Sequence, residues 1–216
     1  EIHRKRGFMA PFAHLPYFVP EYRHSVQAGA NGYGEFASEP FFLFVGRLEK
    51  LKGAQRLIPV FKKHRRARLL IAGTGTYEPE LRRMAGGSDR VTFLGHLSGH
   101  QLRSLYRQAV AVIMPSLCFE VLPLGPLEAL SQETPVIVRN LGGMPEIVDQ
   151  SGGGFVYDTE EELPGLLDQL LDDPERRREL GRKGYEAYQR DWTAEVHVER
   201  YLVLIAELAA KKGVPA

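Results

Sequence analysis

The order of apolar and amphipathic runs along this chain constrains its fold more than any other feature. Six short runs are continuously apolar and rich in β-branched or aromatic residues, which predicts buried strands. They occupy residues 41–45, 68–72, 91–94, 109–114, 134–138 and 154–156. Helical patterns occupy residues 54–64, 78–85, 98–108, 126–132, 145–149, 163–171, 175–189 and 193–211. The alternation predicts an α/β fold, a Rossmann-like parallel sheet with helices on both faces, closed by carboxyl-terminal helices.

Composition narrows the class of protein. The 216 residues are 44% hydrophobic and 25% charged, which is ordinary for a globular protein with a sizeable core. A net charge of +1 gives no reason to expect nucleic-acid binding. The single cysteine, Cys118, excludes an internal disulfide framework and a thiolate zinc cluster, and predicts a reducing, cytoplasmic setting. No apolar run is long enough to span a membrane, and no membrane contact is indicated.

The first forty residues differ from the rest. They begin with Glu1 instead of Met, and contain four prolines and a Gly/Ala/Ser-rich stretch at 28–38. Such composition predicts the remnant of a preceding domain plus a linker over residues 1–40, followed by one domain over 41–216.

Two carboxylates flank a predicted strand-to-helix turn. Glu120 lies in the loop after the strand at 109–114, and Glu128 lies eight residues later in the next helix. Open α/β sheets bind ligands at the carboxyl ends of their strands, where backbone N–H groups and a helix amino end favour an anion. Two carboxylates beside an anion suit a polyhydroxylated phosphate ester, since each accepts bonds from hydroxyls. The alternative is a capping Glu and a surface Glu on an ordinary βα unit.

Two cations follow the first predicted strand. Arg47 follows Gly46 at the end of that strand, and Lys52 lies five residues later at the mouth of the next helix. An arginine fork and a lysine point charge form a workable pair for a diphosphate. The alternative is two solvated cations in a basic surface loop.

Several of these segments carry a family resemblance. The motifs are GRLEKLKG at 46–53, LLIAGTG at 69–75, VTFLGHLS at 91–98, and Glu120-x7-Glu128 followed by LEAL and TPVIV. In this order they resemble the carboxyl-terminal, donor-binding domain of retaining GT-B glycosyltransferases of the group 1, or family 4, type. The family includes bacterial mannosyltransferases and sucrose synthase, and the match runs from about residue 41 to 192.

The resemblance implies a function for the candidate residues. A sugar would pass from a nucleoside diphosphate sugar to an acceptor with retention and with no cofactor, in the cleft between this nucleotide-sugar-binding domain and a missing amino-terminal domain. Arg47 and Lys52 would neutralise the diphosphate, so that no metal is needed, and with Glu120 they form the catalytic set. The other implied contacts are the Leu97 backbone with the base, Glu120 with the sugar, Glu128 with the ribose, and the Leu124 and Gly125 backbone with sugar or phosphate. The isolated chain would be inactive, and the acceptor is not specified.

Departures from the family pattern also make predictions. Pro123 stands where a glycine is usual and removes one backbone donor, and Glu133 stands where a glycine commonly closes the helix, so a left-handed residue there would be strained. Gly99 and Leu102 leave few side-chain donors near the base, which favours a uracil over a guanine donor. Gly142-Gly143 is expected to bring backbone close to the crevice.

Two other functions stay open on the same architecture: a sugar-nucleotide epimerase and a non-catalytic nucleotide-binding module. The absence of a DxD sequence argues against a metal-dependent GT-A enzyme. His96 and His100 straddle a predicted helix cap at Ser98, which favours surface residues over a metal site.

Overall fold

The computed structural model describes Gly7, Ala13 and residues 15–20 and 39–212, and in these it confirms the predicted alternation. The strands are β1 (Phe41–Val45), β2 (Arg68–Ala72), β3 (Val91–Gly95), β4 (Val112–Met114), β5 (Val136–Arg139) and β6 (Gly154–Tyr157). The helices are α1 (Ala54–Lys63), α2 (Glu78–Ala85), α3 (Gly99–Gln108), α4 (Leu124–Leu130), α5 (Met144–Ser151), α6 (Leu163–Asp172), α7 (Pro174–Asp191) and α8 (Ala194–Lys212). A short 3-10 turn, Lys50–Lys52, precedes α1.

The six strands form one parallel sheet in the order β3-β2-β1-β4-β5-β6. The chain builds outward from β1 through β2 to β3, and then returns to the other side of β1 to add β4. The loops that leave β1 and β4 therefore diverge at the carboxyl ends of these neighbouring strands. Such a switch point is where doubly wound sheets leave a crevice for a ligand.

Alternate residues of each strand pack into two separate cores. Phe42 and Phe44 of β1 face α1, α2 and α6, whereas Phe41 and Leu43 face α3, α4, α5 and α7. All four side chains are at most 2% exposed. Because both faces are covered, the strands read as continuous apolar runs in the sequence.

The predicted boundaries of β4, β5 and α4 are displaced by neighbouring hydrogen bonds. The strand predicted from residue 109 begins at Val112, because the Ala109 N–H closes α3 on the Leu105 carbonyl at 2.9 Å. The strand predicted from residue 134 begins at Val136, because the Thr134 N–H bonds the Ala129 carbonyl at 3.0 Å. Helix α4 begins at residue 124 instead of 126, since extended Pro123 is already its amino-terminal cap.

Glu133 confirms the strain predicted after α4. Its φ of 58° is the one positive φ outside glycine among the described residues. A Cβ added to Gly181 of α7 would lie 2.1 Å from the Glu133 carbonyl oxygen, so α7 packs directly on this turn. An L residue in the left-handed region costs about 1–2 kcal/mol relative to its usual conformation.

Residues 15–20 pack against the carboxyl-terminal helices. The Val19 N–H donates to the Trp192 carbonyl at 3.1 Å, and the Tyr188 hydroxyl donates to the Val19 carbonyl at 2.9 Å. Most of the predicted remnant and linker, residues 1–40, lies outside the described residues, and the boundary at residue 40 stays a prediction. Within the described part of the chain, no helix has both the length and the hydropathy that crossing a bilayer requires.

Candidate functional site

The loop after β1 packs against the turn after β2 through glycines. Gly73 has a φ of +132°, and a Cβ there would lie 1.9 Å from the Gly46 carbonyl oxygen. The Leu48 N–H bonds the Thr74 carbonyl at 2.9 Å. A cavity of about 210 Å³ opens beside this contact. Its lining includes Arg47, Thr74, His96, Leu97 and Leu102.

The loops after β1 and β4 are joined by close backbone contacts. Gly53, which ends the 3-10 turn, has a φ of +80°, and an added Cβ would lie 1.9 Å from the Pro115 carbonyl oxygen. The Leu117 N–H donates to the Leu51 carbonyl at 2.8 Å. This tight junction brings the end of the β1 loop, with Lys52, to the start of the β4 loop.

Lys52 and Glu120 meet at that junction. The Lys52 ammonium donates to Glu120 Oε1 at 2.6 Å, and the two side chains are 24% and 16% exposed. Ser116 donates to the same oxygen at 2.8 Å, and the Cys118 thiol lies 3.5 Å from it. In the described part of the chain, no hydrogen bond reaches Glu120 Oε2. One carboxylate oxygen is thus fixed by the protein, and the other can accept bonds from a ligand.

The environment keeps Glu120 ionised. Burial by itself would raise the pKa of Glu120, but the hydrogen bonds from Lys52 and Ser116 and the Lys52 charge outweigh it and hold the pKa below its ordinary value. An ionised carboxylate is acceptor-only, so its free oxygen suits a donor such as a sugar hydroxyl.

Gly142 and Gly143, which precede α5, pack against the Glu120 loop. Gly142 has a φ of +64°, and an added Cβ would lie 2.7 Å from the Glu120 carbonyl oxygen. The Gly143 N–H donates to that carbonyl at 2.7 Å, and a Cβ on Gly143 would lie 2.2 Å from the Val121 carbonyl oxygen. This pair therefore brings its backbone close to the Glu120 loop, and its closeness to a ligand crevice stays a prediction.

Glu128 lies on α4 and contacts α3. The buried Tyr106 hydroxyl donates to Glu128 Oε2 at 2.8 Å. Both residues line a small cavity of about 40 Å³ together with Leu102. Leu102 also lines the cavity beside Arg47, so this residue borders both cavities. The structure therefore places Arg47 and Glu128 on two adjoining cavities, with the Lys52–Glu120 pair at the neighbouring loop junction.

The remaining predicted contacts are backbone groups. Leu97 is 6% exposed, packs in the core and lines the larger cavity. Leu124 begins α4 and is 48% exposed. A Cβ on Gly125 would meet Met114 Sδ at an ordinary 3.5 Å, so the fold itself does not demand glycine there.

Among the described residues, no three His, Cys, Asp or Glu side chains form a group able to hold a metal ion. His96 and His100 are both exposed. Ser98 between them caps α3, and Gln101 completes a reciprocal capping box. These two histidines therefore flank a helix start, as predicted.

A family model decides the identity of this fold. The model for "Glycosyl transferases group 1" matches residues 30–187, well over half of the chain. The chain belongs to the group 1 glycosyltransferase family. The predicted family and its Rossmann-like GT-B carboxyl-terminal fold are thereby confirmed.

Individual proteins are similar to this chain in sequence and in structure. A GDP-mannose-dependent monoacylated alpha-(1-6)-phosphatidylinositol monomannoside mannosyltransferase of Corynebacterium glutamicum is 33% identical over 212 residues, which cover 90% of this chain and 56% of that protein. Sucrose-phosphate synthase from Thermosynechococcus elongatus aligns with a TM-score of 0.76 at 26% identity, covering 91% of this chain and 52% of that one. An isolated carboxyl-terminal domain of a group 1 glycosyltransferase from Francisella tularensis aligns with a TM-score of 0.61 at 22% identity, covering 77% and 95%. The chain spans about half the length of the curated relatives it matches.

Three partners of the carboxylates were missed from the sequence. Ser116 and Cys118 stand in the same loop as Glu120, and their short spacing from it was an available signal. Tyr106 gave no such signal, because its position on α3 fits the apolar face of an amphipathic helix. The direct Lys52–Glu120 bond was also missed, since the two residues are 68 positions apart.

Proposed function

We propose that this chain is the donor-binding half of a retaining, metal-independent glycosyltransferase. It binds a nucleoside diphosphate sugar, whose sugar is transferred to an acceptor held by another domain. The observation that carries the proposal is the meeting of Lys52 and Glu120 at the β1–β4 switch point, 2.6 Å apart. A cation for phosphate and an ionised carboxylate for hydroxyls are thus adjacent where open α/β sheets bind their ligands.

The two cations act on the leaving group. Arg47 is exposed beside the larger cavity, and Lys52 is half-buried at its neighbouring junction. Negative charge develops on the diphosphate as the glycosidic bond breaks, so positive groups fixed nearby stabilise the transition state more than the ground state. These two side chains supply that charge in place of a metal ion.

The carboxylates divide the donor between them. Glu120 Oε2 accepts bonds from hydroxyls of the transferred sugar, close to the reacting carbon, and Glu128 accepts bonds from the ribose diol. The base lies against the Leu97 backbone in the larger cavity. Leu97 and Leu102 bring no side-chain donor to the base, and we take uracil as the favoured base. The GDP-mannose named for the Corynebacterium relative makes guanine the alternative to test.

The acceptor site belongs to an amino-terminal domain of the same protein. Helix α8 has no buried residue among the described ones, and Tyr201, Leu202 and Val203 are each at least half exposed. We propose that this domain covers that surface and closes the cleft. Without it, water exclusion and acceptor positioning are both lost, so the isolated chain binds donor without transferring sugar. We also propose a cytoplasmic location, which suits a chain with a single cysteine.

Nucleoside diphosphate release tests the function. The whole natural protein is incubated with UDP-, GDP- and ADP-sugars and a panel of acceptors, and diphosphate release is followed with product analysis. We expect acceptor-dependent release from one donor, and loss of it in Lys52→Ala. Lys63→Ala is the matched control, because Lys63 is an exposed cation at the far end of α1.

The same assay distinguishes a transferase from an epimerase and from a non-catalytic nucleotide-binding module. An epimerase would change the sugar without acceptor-dependent release, and a non-catalytic module would bind nucleotide and do neither. Robust transfer by the isolated 216-residue chain would contradict the proposed dependence on a second domain.

A further inference from the structure

The hydrogen bond between Tyr106 and Glu128 joins the two helices beside the candidate nucleotide cavities. The Tyr106 hydroxyl donates to Glu128 Oε2 at 2.8 Å, and the Tyr106 side chain is 2% exposed. A buried hydroxyl without a hydrogen-bond partner has an uncompensated desolvation penalty, so this bond is strongly favoured. In the described ranges, no hydrogen bond reaches Glu128 Oε1.

Helix α3 links this bond to the loop predicted to hold the base. The helix begins directly after residues 95–97, and the Ser98–Gln101 capping box fixes its start. Leu102 lies one turn before Tyr106 and lines both the larger cavity and the small cavity of Glu128. A single capped helix therefore carries the base loop at one end and the Glu128 contact near the other.

We propose that Tyr106 is a positioning residue for nucleotide recognition. By holding Oε2 of Glu128, it turns Oε1 toward the ribose hydroxyls and sets a preference for ribonucleotides over deoxyribonucleotides. The inference rests on the proposed function, since it assumes that Glu128 binds the ribose.

The chemistry of the pair suits this role. Burial, with a further contribution from the Glu128 carboxylate, raises the pKa of the Tyr106 hydroxyl well above its ordinary value. Tyr106 therefore stays a neutral hydrogen-bond donor at neutral pH. Phenylalanine at this position would keep the buried ring and remove only the hydrogen bond.

Calorimetry with a ribonucleotide and its deoxy analogue isolates the effect. The 216-residue chain is first screened with UDP and GDP, and the tighter ligand is compared with its 2′,3′-dideoxy form. Tyr106→Phe is expected to weaken the ribonucleotide about fivefold and leave the dideoxy ligand unchanged, as for loss of one oriented hydrogen bond. Glu128→Gln should lower the same ratio of affinities at least as much, and the double variant should add little further.

Tyr188→Phe is the matched control. Tyr188 is also buried and donates to the backbone carbonyl of Val19, which lines the small cavity with Glu128, so its loss tests loosening of the cavity wall without loss of a bond to Glu128. General loosening would weaken both ligands alike and leave their ratio unchanged.

The outcomes separate the two levels of inference. If Glu128→Gln lowers the ratio and Tyr106→Phe does not, the positioning role is wrong and the proposed function stands. If Glu128→Gln leaves the ratio unchanged, Glu128 does not bind ribose, and both the assignment and the positioning role fail. Failure of the unmodified chain to bind either nucleotide would contradict the proposed function itself.

Discussion

At the scale of single residues, the site depends on a competition for Lys52. The Lys52 ammonium bonds Glu120 at 2.6 Å in a partly shielded position, yet the proposed function also assigns it to the diphosphate. Glu120 thus neutralises part of the Lys52 charge, and its own negative charge repels the phosphates. The Glu120 carboxylate and the diphosphate therefore compete for the same ammonium group.

Glu120→Gln is therefore expected to strengthen nucleoside diphosphate binding. Removing the charge frees Lys52 for the phosphate, and a partly exposed ion pair of this kind is worth about 0.5–1 kcal/mol, or two- to fivefold in Kd. The same variant of the whole protein should turn over more slowly, because the sugar loses its acceptor oxygen near the reacting carbon. Calorimetry with UDP or GDP and steady-state rates measure the two effects.

Glu146→Gln provides the control for charge alone. Glu146 is exposed in the first turn of α5, at the same edge of the sheet, and makes the identical change of charge. Equal strengthening by both variants would show that bulk electrostatics, and not competition for Lys52, sets the affinity. Weaker binding in Glu120→Gln would contradict the competition outright.

At the scale of elements, Gly143 and Gly125 have different roles. Gly143 is needed for the packing of two loops, whereas Gly125 is proposed to contact the ligand. A Cβ on Gly143 would lie 2.2 Å from the Val121 carbonyl oxygen, so Gly143→Ala must displace the Glu120 loop. We expect it to lower the free energy of unfolding by about 1–3 kcal/mol, as overpacking does. Gly125→Ala meets only ordinary contacts and should leave that free energy unchanged or higher, while weakening donor binding through steric contact with the ligand.

Denaturant unfolding and calorimetry on the two variants test this contrast. Unchanged donor affinity in a folded Gly125→Ala protein would remove the Gly125 backbone from the site. Full stability of Gly143→Ala would contradict the close packing of the two loops.

The turn after α4 offers a separate test of backbone strain. Glu133 adopts a φ of 58°, so Glu133→Gly is expected to raise the free energy of unfolding by about 0.5–1 kcal/mol. Glu133→Ala is the control, since it removes the side chain but keeps the strain. Equal stabilisation by both variants, measured by denaturant unfolding, would assign the effect to the carboxylate and not to the backbone.

The sequence predicted elements well where a local pattern determines them. β1, β2 and α2 have the predicted bounds, because a continuous apolar run or a clear amphipathic pattern ends at a turn residue. The start of β4 was wrong by three residues, since the Ala109 N–H is used by α3. That bond makes Ala109 the carboxyl cap of α3, and the apolar run alone does not show where the helix cap ends and the strand begins.

The candidate site shows the same division. Arg47, Lys52, Glu120 and Glu128 could be selected because each follows a predicted strand or begins a helix. Their partners could not be assigned in this way: the Tyr106–Glu128 bond joins two helices, and the Lys52–Glu120 bond depends on the Gly53–Pro115 contact. Side-chain pairing across elements follows from packing, not from spacing along the chain.

At the scale of the whole molecule, the described residues form a donor domain with an uncovered helix. The large hydrophobic side chains that are exposed fall mainly on α8 and around the crevice, including Leu51, Phe119, Val121 and Leu124. Exposed apolar side chains grouped on one helix and around a crevice are typical of an interaction site. Its location on α8 and at the crevice agrees with a cleft that a second domain closes.

In the proposed site, Arg47 and Lys52 bind the diphosphate of a nucleotide at the β1–β4 switch point. Calorimetry of UDP and uridine, or GDP and guanosine, on the unmodified chain, Arg47→Ala and Lys52→Ala tests it most directly. Each charge-assisted contact is worth about 1.5–3 kcal/mol, so each variant should weaken diphosphate binding about 10- to 150-fold and leave nucleoside binding unchanged. Equal weakening of diphosphate and nucleoside, or no effect on either, would contradict the account.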